Sequence, residues 1–142
     1  MILHDKQKEI VASPARFKVT RAGRRFGKTI VKTETMLYLA VANSVNLARE
    51  VKNRSVIFVA PTQKQARTIV WETFKNRLDG LGDFNEARLE IRIPTEDGGV
   101  STIFIGGWEN RENYRGMPNV VHLEFDELDT MRFFFHRLAR DF

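Results

Sequence analysis

The chain has 142 residues, 42% of them hydrophobic and 29% charged, enough for one domain with a buried core but not for two independent ones. Its longest apolar run, residues 36–42, falls far short of the roughly 20 residues a bilayer-spanning helix needs, and residues 1–5 lack a signal peptide's basic and apolar regions, which argues against membrane insertion and secretion. The absence of cysteine and the wide spacing of His4, His122 and His136 exclude disulfides and thiolate zinc sites and fit a reducing, cytoplasmic setting, while the net charge of 23 − 18 = +5 directs attention to anionic partners.

In chain order, residues 16–20 read as a strand with Phe17 and Val19 on one face. Residues 27–44 read as a helix free of Gly and Pro after Gly27, and its second half, 36–42, is apolar nearly all round, which predicts burial on more than one side. Residues 55–60 form a continuous β-favouring run, the kind of strand covered on both faces in a parallel sheet. Thr62 and Gln65 have capping-box spacing and open a helix whose apolar stripe is Ala66, Ile69, Val70, Phe74 and Leu78; Gly80 and Gly82 end it. Residues 88–93 and 100–105 are short strands joined by a turn-rich stretch, spaced for an antiparallel hairpin. Residues 120–125 are another strand, running into Asp126-Glu127-Leu128-Asp129, after which Asp129 or Thr130 caps a final helix with Phe133, Phe134 and Leu138. There is no internal repeat and no low-complexity linker. Strand and helix in alternation point to an α/β layered sheet, with the hairpin as an excursion from it.

The segment Arg21-Ala22-Gly23-Arg24-Arg25-Phe26-Gly27-Lys28-Thr29 falls between a predicted strand and a predicted helix. A nucleoside triphosphate needs backbone N–H groups turned toward its phosphates, a lysine that reaches the terminal ones and a hydroxyl for Mg²⁺; a glycine-containing loop at a helix N-terminus supplies all three. Gly27-Lys28-Thr29 meets that requirement, although the strict Gly-x4-Gly-Lys-Ser/Thr pattern fails by one residue: Ala22 stands where glycine is expected, and the upstream glycine is Gly23. The competing reading is a Gly-Lys-Thr tripeptide that opens a surface helix by chance. Residues 1–54 carry 12 basic and 4 acidic side chains (+8) and residues 55–142 carry 11 and 14 (−3). Four of the front-half cations, Arg21, Arg24, Arg25 and Lys28, belong to this loop, so only 8 − 4 = +4 is left to argue for a larger polyanion such as DNA.

Asp126 and Glu127 are adjacent carboxylates at the C-terminal end of a strand, the edge at which open α/β sheets bind ligands. In phosphate-transfer sites a first carboxylate helps hold Mg²⁺ and a second orients or deprotonates the attacking water. A solvated acidic turn is the alternative. His122 and Glu124 share a face that is ordinarily apolar in such a strand, so that face is expected to be less buried. Arg24 is read either as a finger over the β- and γ-phosphates, with an effect of roughly 10³ to 10⁵ in rate, or as a source of ground-state phosphate attraction. Arg25 has the weaker claim. Of the aromatics near arginines, Trp71, Phe74 and Trp108, none is assigned to DNA, and Phe74 belongs to the helix's apolar stripe.

The loop at residues 22–29, the segment Val59-Ala60-Pro61-Thr62, the stretch Glu109-Asn110-Arg111-Glu112-Asn113-Tyr114-Arg115-Gly116 and the strand ending in Asp126-Glu127 together resemble, in order and spacing, the N-terminal ATPase region of the large terminase subunit of tailed bacteriophages. The loop lysine and the carboxylates are shared with helicases; the arginine-rich loop and the Arg-Gly segment favour terminase. The resemblance implies a P-loop NTPase fold of ASCE type: a mostly parallel sheet flanked by helices, forming a single partial ATPase domain over residues 1–142, with the nuclease domain absent. It implies ATP and Mg²⁺ as ligands. Gly23, Arg24, Arg25, Phe26, Gly27, Lys28 and Thr29 would bind the nucleotide, Thr29 and Asp126 the metal, and Glu127 would activate water with Arg24 and Lys28 beside it. Gln7 sits where related ATPases read adenine; a solvated helix residue is the other reading. Implied partners are double-stranded viral DNA, a portal or prohead, a small terminase subunit and further copies of the chain, in the cytoplasm of a bacterial host. In such sheets the strand between the loop strand and the acidic strand comes later in sequence than residue 125, so weak or absent ATP turnover is expected of this chain alone; robust hydrolysis by a purified monomer would contradict that. The other readings are a DNA-dependent ATPase of helicase type, an inactive nucleotide-binding module, and a nuclease with Glu124, Asp126 and Asp129 on a divalent ion.

Overall fold

The structure, a computed structural model, describes residue 3 and residues 5–12, 28–41, 53–95 and 98–126. The expected strand at 16–20, the loop at 21–27 and the expected final helix lie outside the described residues, as does Glu127. The elements are α1 (Asp5–Ala12), α2 (Lys28–Val41), β1 (Arg54–Ala60), α3 (Gln63–Ala66), a π-wound turn (Arg67–Trp71), α4 (Glu72–Arg77), β2 (Asp83–Asn85), β3 (Glu90–Pro94), β4 (Val100–Gly107), a 3-10 segment (Trp108–Asn113) and β5 (Val120–Phe125). Among the described residues the strands form one five-stranded sheet in the order β2-β3-β4-β1-β5. Among the described residues no helix is long and apolar enough to cross a membrane.

β1 lies centrally because nearly every side chain in Arg-Ser-Val-Ile-Phe-Val-Ala tolerates burial, and only Ser55 of the seven is partly exposed. It pairs in parallel with β5 on one side and with β4 on the other. This corrects two expectations. The hairpin is no excursion: β4 is an interior strand, in register with β1 from Arg54↔Ser101 to Ala60↔Gly107, and β3 and β2 extend the sheet antiparallel beyond it. The described sheet is therefore mixed, not mostly parallel. The cause is length, since β4 runs on through Gly106 and Gly107, whose missing side chains let neighbouring segments press against the strand. A Cβ on Gly106 would overlap the Tyr114 hydroxyl, and one on Gly107 would overlap the backbone of Thr62 and Gln63. β3 begins two residues later than expected because Leu89 adopts a left-handed φ of 54° inside a turn that the Asn85 side chain closes by accepting from the Arg88 N–H.

One face of the sheet carries Val56, Phe58, Ile103, Ile105, Ile91 and Ile93, covered by Met36, Leu37 and Ala40 of α2 and by Val70, Trp71 and Phe74 of the α3–α4 arm. α2 contains no Gly or Pro, and its buried residues Thr33, Met36, Leu37 and Ala40 recur at the spacing of a single face, while Val31 is buried on the opposite side. Its second half is not buried all round: Tyr38 and Val41 are 55% and 47% exposed, because the sheet covers only one side of the helix. Arg54, at the start of β1, is buried and donates to the Leu39 carbonyl near the α2 C-terminus, where a cation also meets the helix dipole favourably. The capping box at Thr62 and Gln65 forms as read, with Gln65 N–H donating to Thr62 Oγ1 and Thr62 N–H to Gln65 Oε1, both at 3.2 Å. In the π turn that follows, Trp71 is buried beside Val70, three residues before Phe74 and seven before Leu78, so the apolar stripe includes a tryptophan. The opposite face of the sheet holds Ile57, Val59 and Phe125, covered by Tyr114 with Trp108 and Met117 from the chain after β4.

Candidate functional site

Three parallel strands, β1, β4 and β5, deliver their carboxyl ends to one edge. At the end of β5 the backbone of Asp126 continues the pairing, its N–H donating to the Val59 carbonyl at 2.9 Å. Register sets the face: Val56 pairs with His122 and Phe58 with Glu124, so His122, Glu124 and then Asp126 form a polar stripe on the face that α2 covers. The expectation of a less buried face holds, since β5 is partly exposed until Phe125, and His122 Nε2 lies 3.1 Å from Glu124 Oε1.

α2 is described from Lys28, and its first turn contains no acidic residue to offset the positive end of the helix dipole. One turn later Lys32 reaches across to β5: its Nζ donates to Asp126 Oδ1 at 2.9 Å, and the two side chains are only 18% and 17% exposed. Position 29 precedes position 32 by three residues, about 4.5 Å along the axis, and shares its helix face. The opening of α2 and the acid at the end of β5 are therefore neighbours in space although 94 residues separate Lys32 from Asp126. Sequence reasoning missed Lys32. The signal available was its spacing of four from Lys28, on the same helix face.

The remaining predicted residues divide simply. Gly23, Arg24, Arg25, Phe26, Gly27 and Glu127 lie outside the described residues, and Lys28 and Thr29 are described as the first two helical positions of α2. Gln7 is on α1, which packs on α2, and is 4% exposed, so the solvated-helix alternative fails for it. The nuclease reading gathers no support: Glu124 faces His122, Asp126 faces Lys32, Asp129 is outside the described residues, and no three His, Cys, Asp or Glu among those described gather as metal ligands would.

The same edge joins two other segments singled out in the sequence. Glu109 Oε1 accepts from the Gln63 N–H at 2.9 Å, which brings the stretch after β4 onto the α3 N-terminus that Thr62 already caps. Arg111 lies over the Trp108 ring at 5.1 Å, and that ring contacts Phe125, the residue before Asp126, with centroids 6.4 Å apart. Burial, with the Glu90 carboxylate adding to it, pushes the Tyr114 hydroxyl up to about 12. A cleft of about 420 Å³ lined by Gln63, Arg88, Glu90, Asn110 and Tyr114 lies on the hairpin side of this segment and includes neither Asp126 nor α2, so it is separate from the site at β5.

A sheet whose parallel strands end beside a helix N-terminus and a semi-buried carboxylate defines the class: an α/β protein with a ligand edge of the open-sheet kind. Residues 20–136 match the family described as terminase large subunit, T4likevirus-type, N-terminal, and the chain belongs to that family. The chain is also similar in fold to a large terminase from a thermophilic bacteriophage, with a TM-score of 0.71 at 19% identity over 99% of this chain. It spans about a third of that structure's length, 36%. No curated protein matches it.

Proposed function

We propose that this chain is the ATP-driven motor part of a terminase large subunit, binding ATP with Mg²⁺ and hydrolysing it to move double-stranded viral DNA into a prohead in the bacterial cytoplasm. The observation that carries the reading is the Lys32–Asp126 contact, which brings the opening of α2 to the acid at the end of β5 in a chain of this family. In this reading the backbone N–H groups of Gly23 to Gly27, together with Arg24, Arg25 and Phe26, wrap the phosphates at the helix N-terminus. Lys28 reaches the terminal phosphates, and Gln7 reads the adenine. Thr29 and Asp126 hold the metal. The donor set suits Mg²⁺, which takes one or two carboxylates together with phosphate oxygens and water, not a cage of protein ligands. When bound, the ion spreads the charge that develops on the phosphate oxygens.

Glu127 orients the attacking water and takes its proton, and Arg24 stabilises the charge of the transition state. Copies of the chain, a portal and a small terminase subunit complete the working assembly. Titration of ATP into the wild type and Lys28→Ala tests the reading: affinity at least tenfold weaker in the variant, about 1.4 kcal/mol, is expected. Equal affinities would show that the loop is idle. Glu127→Gln is expected to keep nucleotide binding and to lose whatever turnover the wild type has.

A further inference from the structure

The ion pair at the edge of β5 has a property that the proposed chemistry does not use. Lys32 Nζ occupies one oxygen of the very carboxylate assigned to the metal, at 2.9 Å, with both side chains less than one-fifth exposed. The ammonium offsets the charge of that carboxylate and repels a divalent cation approaching it. We propose that Lys32 is a built-in counter-ion of Asp126 that excludes free divalent cations from the site, so that the metal enters only together with a nucleotide. The inference rests on the nucleotide reading above and adds an order of binding to it.

Three observations lead there. Among the described residues no three His, Cys, Asp or Glu gather as metal ligands would, and the Asp126 carboxylate already holds a lysine, so a bare cation meets a charge that is offset. Lys32 sits on the second turn of a helix whose first turn carries no acid, so an approaching cation meets the ammonium and the positive end of the dipole together. A nucleotide reverses that field. Its phosphates, seated at the start of α2, give the ammonium a second anion within one helical turn, and lysine's flexible four-carbon stem lets the charge swing toward them while Oδ1 passes to the metal. No bond is made or broken in this exchange; one cation replaces another on the carboxylate. An ion pair serving stability alone would show no such dependence on the ligand.

The test uses free Mn²⁺ as probe, titrated by electron paramagnetic resonance into the full chain without nucleotide. Lys32→Met and Lys32→Gln are expected to bind Mn²⁺ at least tenfold more tightly than wild type, and Mn²⁺ is expected to raise their melting temperatures and not that of wild type. Lys32→Arg, which keeps the charge, is expected to behave as wild type, and adding Asp126→Asn to Lys32→Met is expected to remove the gain. If either neutral variant melts cooperatively yet binds Mn²⁺ no better than wild type while wild type still binds ATP, the counter-ion role is overturned and the nucleotide reading stands. Failure of wild type to bind ATP at all, with Mn²⁺ present, overturns both.

Discussion

Glu86 and Asp126 each hold a lysine beside a different half of the sheet, and their surroundings differ as the halves do. Beside the antiparallel half, Glu86 receives Trp71 Nε1 at 2.7 Å and Lys75 Nζ at 2.5 Å, with Arg67 at 3.5 Å. The Lys75 bond, and then that of Trp71, hold its carboxyl below the usual range, and the same contact raises Lys75. Both of its oxygens accept from groups that tie the α3–α4 arm to the turn after β2, which makes it a brace. At the parallel half, Asp126 accepts from Lys32 alone among the described residues, at an edge where β1, β4 and β5 all end. A carboxylate at a strand terminus beside the first turns of a helix is placed for a ligand; one bound to Trp71 and Lys75 of a single arm is placed to brace it.

The largest expected effect breaks the contrast, because it strikes the strand both halves share. Phe58 in β1 has no exposed surface and packs between α2 and the α3–α4 arm, so Phe58→Ala is expected to cost ~3–5 kcal/mol. Urea unfolding followed by far-UV circular dichroism and by tryptophan fluorescence checks it. Coincident transitions at a lower midpoint are expected, and separated ones would mean that the halves unfold independently.

A smaller effect concerns the segment that covers the second face. The Tyr114 hydroxyl titrates near 12 in the folded chain against 10 for an ordinary tyrosine. Folding favours the neutral form, so the stabilisation is fully present below about pH 10 and is lost as pH rises toward 12, by at most ~2.7 kcal/mol. Tyr114→Phe is expected to flatten the stability profile between those limits, measured by denaturant midpoint against pH.

Asp126→Asn and Glu86→Gln then sharpen the comparison directly. Loss of the Asp126 charge is expected to weaken ATP binding in the presence of Mg²⁺ about tenfold, ~1.4 kcal/mol, and the Glu86 change is expected to leave it unaltered. Equal losses in the two variants would erase the distinction between brace and site.

What the sequence discloses follows the range of the interaction. β1 and β5 are legible because an apolar run and a strand-terminal acid pair are local patterns, and the capping box is written in two residues, Thr62 and Gln65. β2 escapes because it has three residues with only Phe84 half-buried, too few to display a period. The place of β4 beside β1 escapes because it depends on two glycines accepting the Tyr114 hydroxyl and the α3 backbone, contacts made by the absence of a side chain. Asp126 is legible as an acid at a strand end, but its pairing with Lys32 is a tertiary event: spacing puts Lys32 on the face of Lys28 and does not say what that face meets.

The smallest effect separates two ion pairs that start from the same helix. Glu34 of α2 bridges to Arg77 of α4 through both guanidinium nitrogens, two residues after Lys32 turns toward β5. Arg77 is 38% exposed and Glu34 18%, so solvent reaches the guanidinium end of the pair, where the entropy of holding a long side chain and ionic screening offset much of the attraction. A double-mutant cycle with Glu34→Ala and Arg77→Ala is therefore expected to give a coupling of ~0.2–1 kcal/mol, falling as salt rises, with nucleotide binding unchanged. The equivalent cycle on Lys32 and Asp126 should resist salt and alter metal binding. If the Glu34 cycle also moved nucleotide affinity, α2 would be transmitting the state of its packing to its N-terminus, and the ligand edge could no longer be treated as separate from the braced side of the fold.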